Sequence, residues 1–575
     1  MAELVWIHRF NAQELGIAGR GPYCLVPVDA RVIFLPNIDL SENPDVDEEI
    51  ELYLDGVEQS FTLSYKKPGS KTEHRLYLAG LRNFIGDSDS SRLIQPGKIG
   101  CFYRKGQQIF LSVADAESAY GRLLERFPSR GANNNVITQS VFENASQNSP
   151  NITTLSNEVT HLTTLCKPFI LLAGISGTGK TRFVRKQAEN GNGEKCYELV
   201  SVRPDWHEPS DLLGYISRLS GTPQYVVTDV LRFIASAWKK VADAGLQISV
   251  VASNGHEQIA IDGDQTTLEL LGPQWLCLDE MNLAPVEQYF ADYLSVLETR
   301  EWSWNDDSFT YKSDALLKPS IFKQLPDESL ITLKNDLGFG ENDNELWDFV
   351  IQHGLGLPPQ LIVAGTVNMD ETTHGFSRKV IDRALTYDFG EFYPNVLDQF
   401  FDSETTNKTL TYPTHSQAHR DYLPPIDSDG KLSIEFIEKI NAVLENTPFK
   451  LAYRALNELL LAVISHQPAD ELELKAVWDD FLMCKVLPRI EGDADKLAAN
   501  DSQKESVLHE LADLLETEFS EFWNASSNNA SARPDLLRGA KDTNDPVIRI
   551  ACRSKKKLKW MQSRLSASGF TSFWP

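Results

Sequence analysis

The sequence predicts a multidomain α/β protein. A β-rich, barrel-like domain comes first, an α/β unit built on a parallel sheet around a phosphate-binding loop (P-loop) follows, and a helical domain comes last. Three observations predict it. Residues 169–181 read Phe-Ile-Leu-Leu-Ala-Gly-Ile-Ser-Gly-Thr-Gly-Lys-Thr, an apolar strand running into a Gly-rich loop that opens a helix. Residues 1–130 hold short apolar runs separated by turn residues. Residues from 396 to about 520 switch to helical periodicity, as in Ile434-Glu-Phe-Ile-Glu-Lys-Ile. At 575 residues the chain exceeds what one core supports, so separate units are expected.

In the first unit, strands are expected at Tyr23-Cys-Leu-Val-Pro-Val, Arg31-Val-Ile-Phe-Leu, Glu51-Leu-Tyr-Leu and Ser60-Phe-Thr-Leu-Ser-Tyr. Others are expected at Arg75-Leu-Tyr-Leu, Gly100-Cys-Phe-Tyr and Gln108-Ile-Phe-Leu-Ser-Val, with a closing helix over 115–127. The whole chain carries a net charge of −26, which repels phosphate from most of its surface, so any DNA contact must be local. One stretch suits it. Between Lys66 and Lys105 nine basic residues oppose Glu73, Asp87 and Asp89, leaving +6. Arg75, Arg82, Arg92, Lys98 and Arg104, with Tyr77 and Tyr103 among them, offer phosphate contacts and aromatic faces for bases. A solvated barrel surface is the other reading of the same charges.

Residues 131–160 turn to Asn, Ser and Thr and read as a linker. Seven cysteines without a Cys-x-x-Cys pair argue against a disulfide framework or a zinc site. The longest apolar runs are too short to cross a bilayer and the first residues lack a signal-peptide pattern, so a cytoplasmic protein is expected.

Residues 161–395 alternate strands and helices. The loop's Gly174, Ser176, Gly177, Thr178 and Gly179 let the backbone approach a phosphate, so that amides and the helix N-terminus hold the anion. Lys180 reaches the β- and γ-phosphates, and the Thr181 hydroxyl takes Mg²⁺. About a hundred residues later Trp275-Leu-Cys-Leu-Asp-Glu-Met-Asn is an apolar strand ending in two acids. Asp279 suits the magnesium ion and Glu280 the attacking water. Asn368, at the tip of Gln360-Leu-Ile-Val-Ala-Gly-Thr-Val-Asn, either orients that water through its amide or caps the next turn. Arg378, Lys379 and Arg383 follow on a helix-like segment. They either pair with local acids or enter a neighbouring subunit's nucleotide site to offset charge on the γ-phosphate.

In this order, Gly174–Thr181, Asp279-Glu280, Gly365-Thr-Val-Asn368 and Arg383 resemble the AAA+ ATPases, and within them the McrB-like branch of modification-dependent restriction systems. The resemblance runs from about residue 165 to about 490. It implies an AAA+ motor with a helical lid over 396–575, ATP or GTP with Mg²⁺ as cofactors, and a ring, a hexamer in such families. It implies Asn368 as sensor 1, Arg383 with Arg378 second as the arginine finger, and Arg454 of Leu451-Ala-Tyr-Arg as sensor 2. The segment Val200–Tyr215, with Trp206, resembles this branch's insert, although Trp206 is equally suited to a core. The branch's phrase after the sensor is altered here, because Asp370 is followed by Glu371-Thr-Thr-His rather than by a basic residue.

No stretch carries a nuclease signature, since Pro204-Asp205, Pro326-Asp327 and Pro534-Asp535 lack a following acid-x-Lys strand. The resemblance therefore implies a separate McrC-like nuclease subunit, DNA met through the N-terminal domain, and a role in restriction or antiviral defence. Two rivals remain: a MoxR-like chaperone remodelling a protein client, and a non-catalytic module in which nucleotide is a structural ligand. Glu280 speaks against the second.

Overall fold

The computed structural model describes residues 4–17, 22–27, 30–35, 47–55, 57, 59–67, 74–86, 92–105, 108–114 and 134–138 of the first part. From 162 to 574 it describes all but 191–195, 254–255, 270, 370–373, 400, 402–403, 500–505 and 542–546.

The first unit is one eight-stranded sheet. Its strands are β1 (Leu4–Arg9), β2 (Tyr23–Val26), β3 (Asp47–Leu54), β4 (Ser60–Lys66), β5 (His74–Tyr77), β6 (Ile99–Lys105), β7 (Gln108–Ala114) and β8 (Asn134–Thr138). They lie in the order β2-β5-β4-β3-β7-β6-β1-β8, antiparallel throughout except for β3 beside β7. Period-two burial explains the strands: in β3, Ile50, Leu52 and Leu54 point inward between exposed or half-buried neighbours. Trp6, Phe34, Phe102 and Leu111 fill this unit's own core.

Three expectations change here. Arg31–Phe34, expected as a strand, is a single helical turn that buries Ile33 and Phe34. Ahead of it the Ala30 N–H donates to the Pro27 carbonyl at 3.1 Å. Asn134–Thr138, read as linker, is a strand antiparallel to β1, so this unit runs past residue 130. Leu4–Arg9 is a further strand. The helix expected over 115–127 and most of the linker lie outside the described residues.

The middle unit is built on a five-stranded sheet. Its chain-order strands begin with β9 (Thr163–Thr164), β10 (Phe169–Gly174) and β11 (Tyr197–Ser201). The hairpin β12 (Gly214–Ser217) and β13 (Gln224–Val227) follows, then β14 (Gln247–Ser253), β15 (His256–Asp264) and β16 (Gln274–Asp279). Next come β17 (Glu301–Asn305), β18 (Ser308–Lys312), β19 (Ala315–Leu317), β20 (Leu355–Gly356), β21 (Leu361–Asn368) and β22 (Leu385–Asp388). Five of them pair in parallel, in the order β11-β16-β21-β10-β22. β10, β16 and β21 are continuous apolar runs because helices cover both faces of a parallel sheet. Helix 229–243 supplies one cover: the Thr228 hydroxyl accepts from the Leu231 N–H at 3.2 Å, and nine of the helix's side chains are buried. A separate antiparallel sheet, β14-β15-β18-β17, stands beside the parallel one. Gly365 is required by close approach: a Cβ there would lie 2.5 Å from the Met281 sulfur.

The last unit has helices at 431–443, 453–466, 471–481, 507–518 and 553–568. It also has a three-stranded sheet, Thr405–Asn407 beside Arg533–Ala540 beside Val547–Ile550, which helical periodicity alone does not announce. Its apolar side chains join those of the middle unit in one core. The basic segment after residue 553 is a docked helix, with Lys557 paired to Asp388 at 2.6 Å and Lys556 to Glu391 at 2.6 Å. Among the described residues no helix is long and apolar enough to cross a membrane.

Candidate nucleotide site

Parallel register brings the expected residues to one edge. Gly174 ends β10 level with Asn368 of β21, and Asp279 ends β16 beside Ser201 of β11. The C-terminal ends of parallel strands are where an open α/β sheet binds ligands. From Gly174 the chain turns through 175–179 into the helix Lys180–Asn190. Gly177 (φ 77°) and Gly179 (φ 88°) take left-handed backbone that L side chains rarely adopt. The Thr178 hydroxyl donates to the Ile175 carbonyl at 3.0 Å and firms the loop. The buried Lys180 ammonium donates to the carbonyls of Gly174 (3.1 Å) and Ile175 (2.8 Å), which fixes it under the loop.

Opposite the loop, Asp279 accepts from the Thr181 hydroxyl at 2.7 Å and from the Thr366 hydroxyl at 2.7 Å. The Glu280 N–H donates to Thr366 at 2.9 Å, and the Asn368 amide donates to the Glu280 carboxylate at 3.2 Å. Glu280 itself is left-handed, φ 54°, a sparsely populated conformation for a side-chain-bearing residue. Asn282 donates to the Asn368 carbonyl at 3.2 Å and ties the two strand tips together. A hydroxyl and a carboxylate oxygen in contact are the donor set Mg²⁺ takes, and the residues fit that ion. Thr366 was not among the residues read from sequence. Its signal was period two: it shares a strand face with Asn368, two residues on.

The arginines sit elsewhere. Arg383 lies just past a helix that spans only Arg378–Ile381, and its guanidinium donates to the Lys379 carbonyl at 3.0 Å. Its guanidinium pairs with Glu298 at 2.6 Å, and Arg454 grips the other oxygen of Glu298, also at 2.6 Å. Both line a cavity of about 200 Å³ with Lys167 and Pro168. Those two residues precede β10, whereas the Gly-rich loop follows it, and six strand residues at about 3.3 Å each separate the two ends. Glu298 thus holds Arg454 near the start of β10, at the end of that strand opposite the loop. Arg378 donates to the Pro448 carbonyl at 3.1 Å and stacks over Phe449. Trp206 is core, edge-on to Tyr289 at 5.2 Å. Asp370 and Glu371 lie outside the described residues.

Several of the N-terminal basic residues serve the fold. Arg104 donates to the Ile33 carbonyl at 3.0 Å, Arg92 to the Ile85 carbonyl at 2.7 Å, and Arg75 stacks over Tyr23. Tyr103 is buried, donates to Asp55 at 3.1 Å and stacks on Phe110, so it presents no face to a base. Arg82 is exposed and Tyr77 half-buried.

With this geometry in hand, comparison with known proteins adds one match. Residues 417–570 match the model of a family described as Domain of unknown function (DUF8727). The match covers most of the last unit and does not reach the loop. No curated protein matches the chain significantly.

Proposed function

We propose that the chain is a magnesium-dependent nucleoside triphosphatase of the AAA+ kind, the motor subunit of a McrB-like restriction or anti-phage complex. The observation that carries the reading is the contact chain Thr181–Asp279–Thr366–Glu280–Asn368 facing the loop. ATP or GTP would lie in the loop, with Lys180 and the backbone of Gly174, Ser176, Gly177, Thr178 and Gly179 on its phosphates. Thr181 and Asp279 would hold Mg²⁺, which supplies charge neutralisation when bound. Glu280, steadied by Asn368, polarises the attacking water. Arg383 and Arg454, held away from this loop, suit a neighbouring subunit's γ-phosphate and hence a ring. A separate McrC-like nuclease partner, DNA contact through the first unit and a cytoplasmic setting belong to the same reading. The chaperone reading shares this motor and differs only in its client.

Steady-state hydrolysis of ATP and GTP tests it. Glu280→Gln is expected to lower kcat by about 10²–10⁴-fold with nucleotide still bound. Lys180→Ala is expected to lose binding of a fluorescent nucleotide. Full turnover by both variants would remove the proposed site.

A further inference from the structure

The first unit holds a second cluster, independent of the nucleotide site. His8 lies on β1, Cys24 on β2, and Glu14 on the turn that follows β1. In the sheet order five strands separate β1 from β2, yet one atom of each of these three side chains lies within 4.8 Å of the other two. The sheet therefore curls until β2, its strand at one edge, approaches β1, the last strand but one at the other, and the cluster sits between them. His8 and Cys24 are fully buried, and the Glu14 side chain is 18% exposed. The His8 Nε2 and Glu14 Oε2 are 3.1 Å apart. Asn11 aims that carboxylate: its side chain accepts from the Glu14 N–H at 2.9 Å, and its own N–H donates to the carboxylate at 3.3 Å.

We propose that His8, Glu14 and Cys24 bind one Zn²⁺ that staples β2 to β1 across the curled sheet. One imidazole nitrogen, one thiolate and one carboxylate oxygen are the mixed, borderline-soft set that zinc accepts and that magnesium and calcium do not. Water takes the fourth position from the Glu14 side, the solvent-touching wall of the site and the ion's way in. Binding releases the Cys24 thiol proton to solvent, because the thiolate is the ligand. Spacing alone gave no zinc signal, since the three ligands fit no Cys-x-x-Cys pattern and depend on the curl.

Cobalt substitution of the full chain tests this. Purified protein is stripped with a chelator, exchanged into buffer and titrated with Co²⁺. The expected result is a thiolate-to-cobalt charge-transfer band that saturates at about one equivalent and is bleached by Zn²⁺. Cys24→Ala and His8→Asn are expected to abolish the band although six other cysteines remain in the first variant. Absence of the band from the unmutated protein, or its survival in a folded Cys24→Ala, would overturn the proposal. Should both buried variants fail to fold, Glu14→Gln on the turn decides. A cobalt affinity at least about 10-fold weaker supports the site, and an unchanged affinity overturns it.

Discussion

Glu280 sits in a left-handed conformation with its N–H on the Thr366 hydroxyl and its carboxylate on Asn368. The strain of such a residue is of order 1 kcal/mol or more, and it persists because its neighbours fix it. Thr366 does the most here, serving Asp279 as well. Thr366→Val keeps the shape and leaves the part-buried Glu280 N–H without its hydroxyl partner. It is expected to cost about 1–3 kcal/mol in a urea melt and to lower turnover with it. Unchanged stability would mean that the hydroxyl does not anchor the Glu280 backbone. Asp279 and Glu280 were legible in the sequence because an apolar strand ending in two acids after a P-loop is a local pattern. Glu298 was not: its partners Arg383 and Arg454 are far along the chain, and its own neighbours announce nothing.

Among the elements, the last unit is held together by buried charge. Arg533 pairs with Asp479 at 2.6 Å and Asp480 at 2.8 Å, and Arg553 pairs with Asp480 at 2.7 Å and Asp535 at 3.1 Å. Removing one partner leaves an uncompensated buried charge, so Arg533→Met is expected to destabilise by about 3–5 kcal/mol in chemical denaturation. Burial alone would push the Asp535 carboxyl up, but Arg553 and Arg538 outweigh it and set it from 3.8 down to about 2. A folded-state value below the unfolded one means stability that is present above pH 3.8 and lost as pH falls through about 2. The stability gap between the natural chain and Asp535→Asn is therefore expected to narrow between pH 5 and pH 2. A gap that stays constant over that range would show that the ionised carboxylate is not what matters. Strands 533–540 and 547–550 escaped sequence reading because the first places Arg533, Asp535 and Arg538 in the core, where binary patterning expects apolar residues.

For the whole molecule, the parallel unit was legible because its strands are continuous apolar runs, whereas the curl of the first sheet depends on pairings no local pattern encodes. The distance between the P-loop and the arginines makes a prediction about assembly. If Arg383 completes a neighbour's site, Arg383→Ala and Glu280→Gln proteins, each inactive alone, are expected to regain hydrolysis when mixed, because some interfaces then join an intact Glu280 to an intact Arg383. No recovery in mixed assemblies would place the finger elsewhere.

The helix 553–568 reaches back to the segment beside the loop, where Lys557 and Lys556 meet Asp388 and Glu391, and Phe389 packs next to Gly174. During synthesis, therefore, the P-loop emerges on the order of 20–75 s before the helix that buttresses its flank, at 5–20 residues per second. For the last part of that interval a nascent chain carries two carboxylates, half-buried in the finished fold, without their cations. A ribosome-stalled chain ending before residue 553 is expected to be cut by protease within 385–392, where the released chain resists; equal resistance would refute it. The order of translation thus makes helix 553–568 a checkpoint on a loop made long before it.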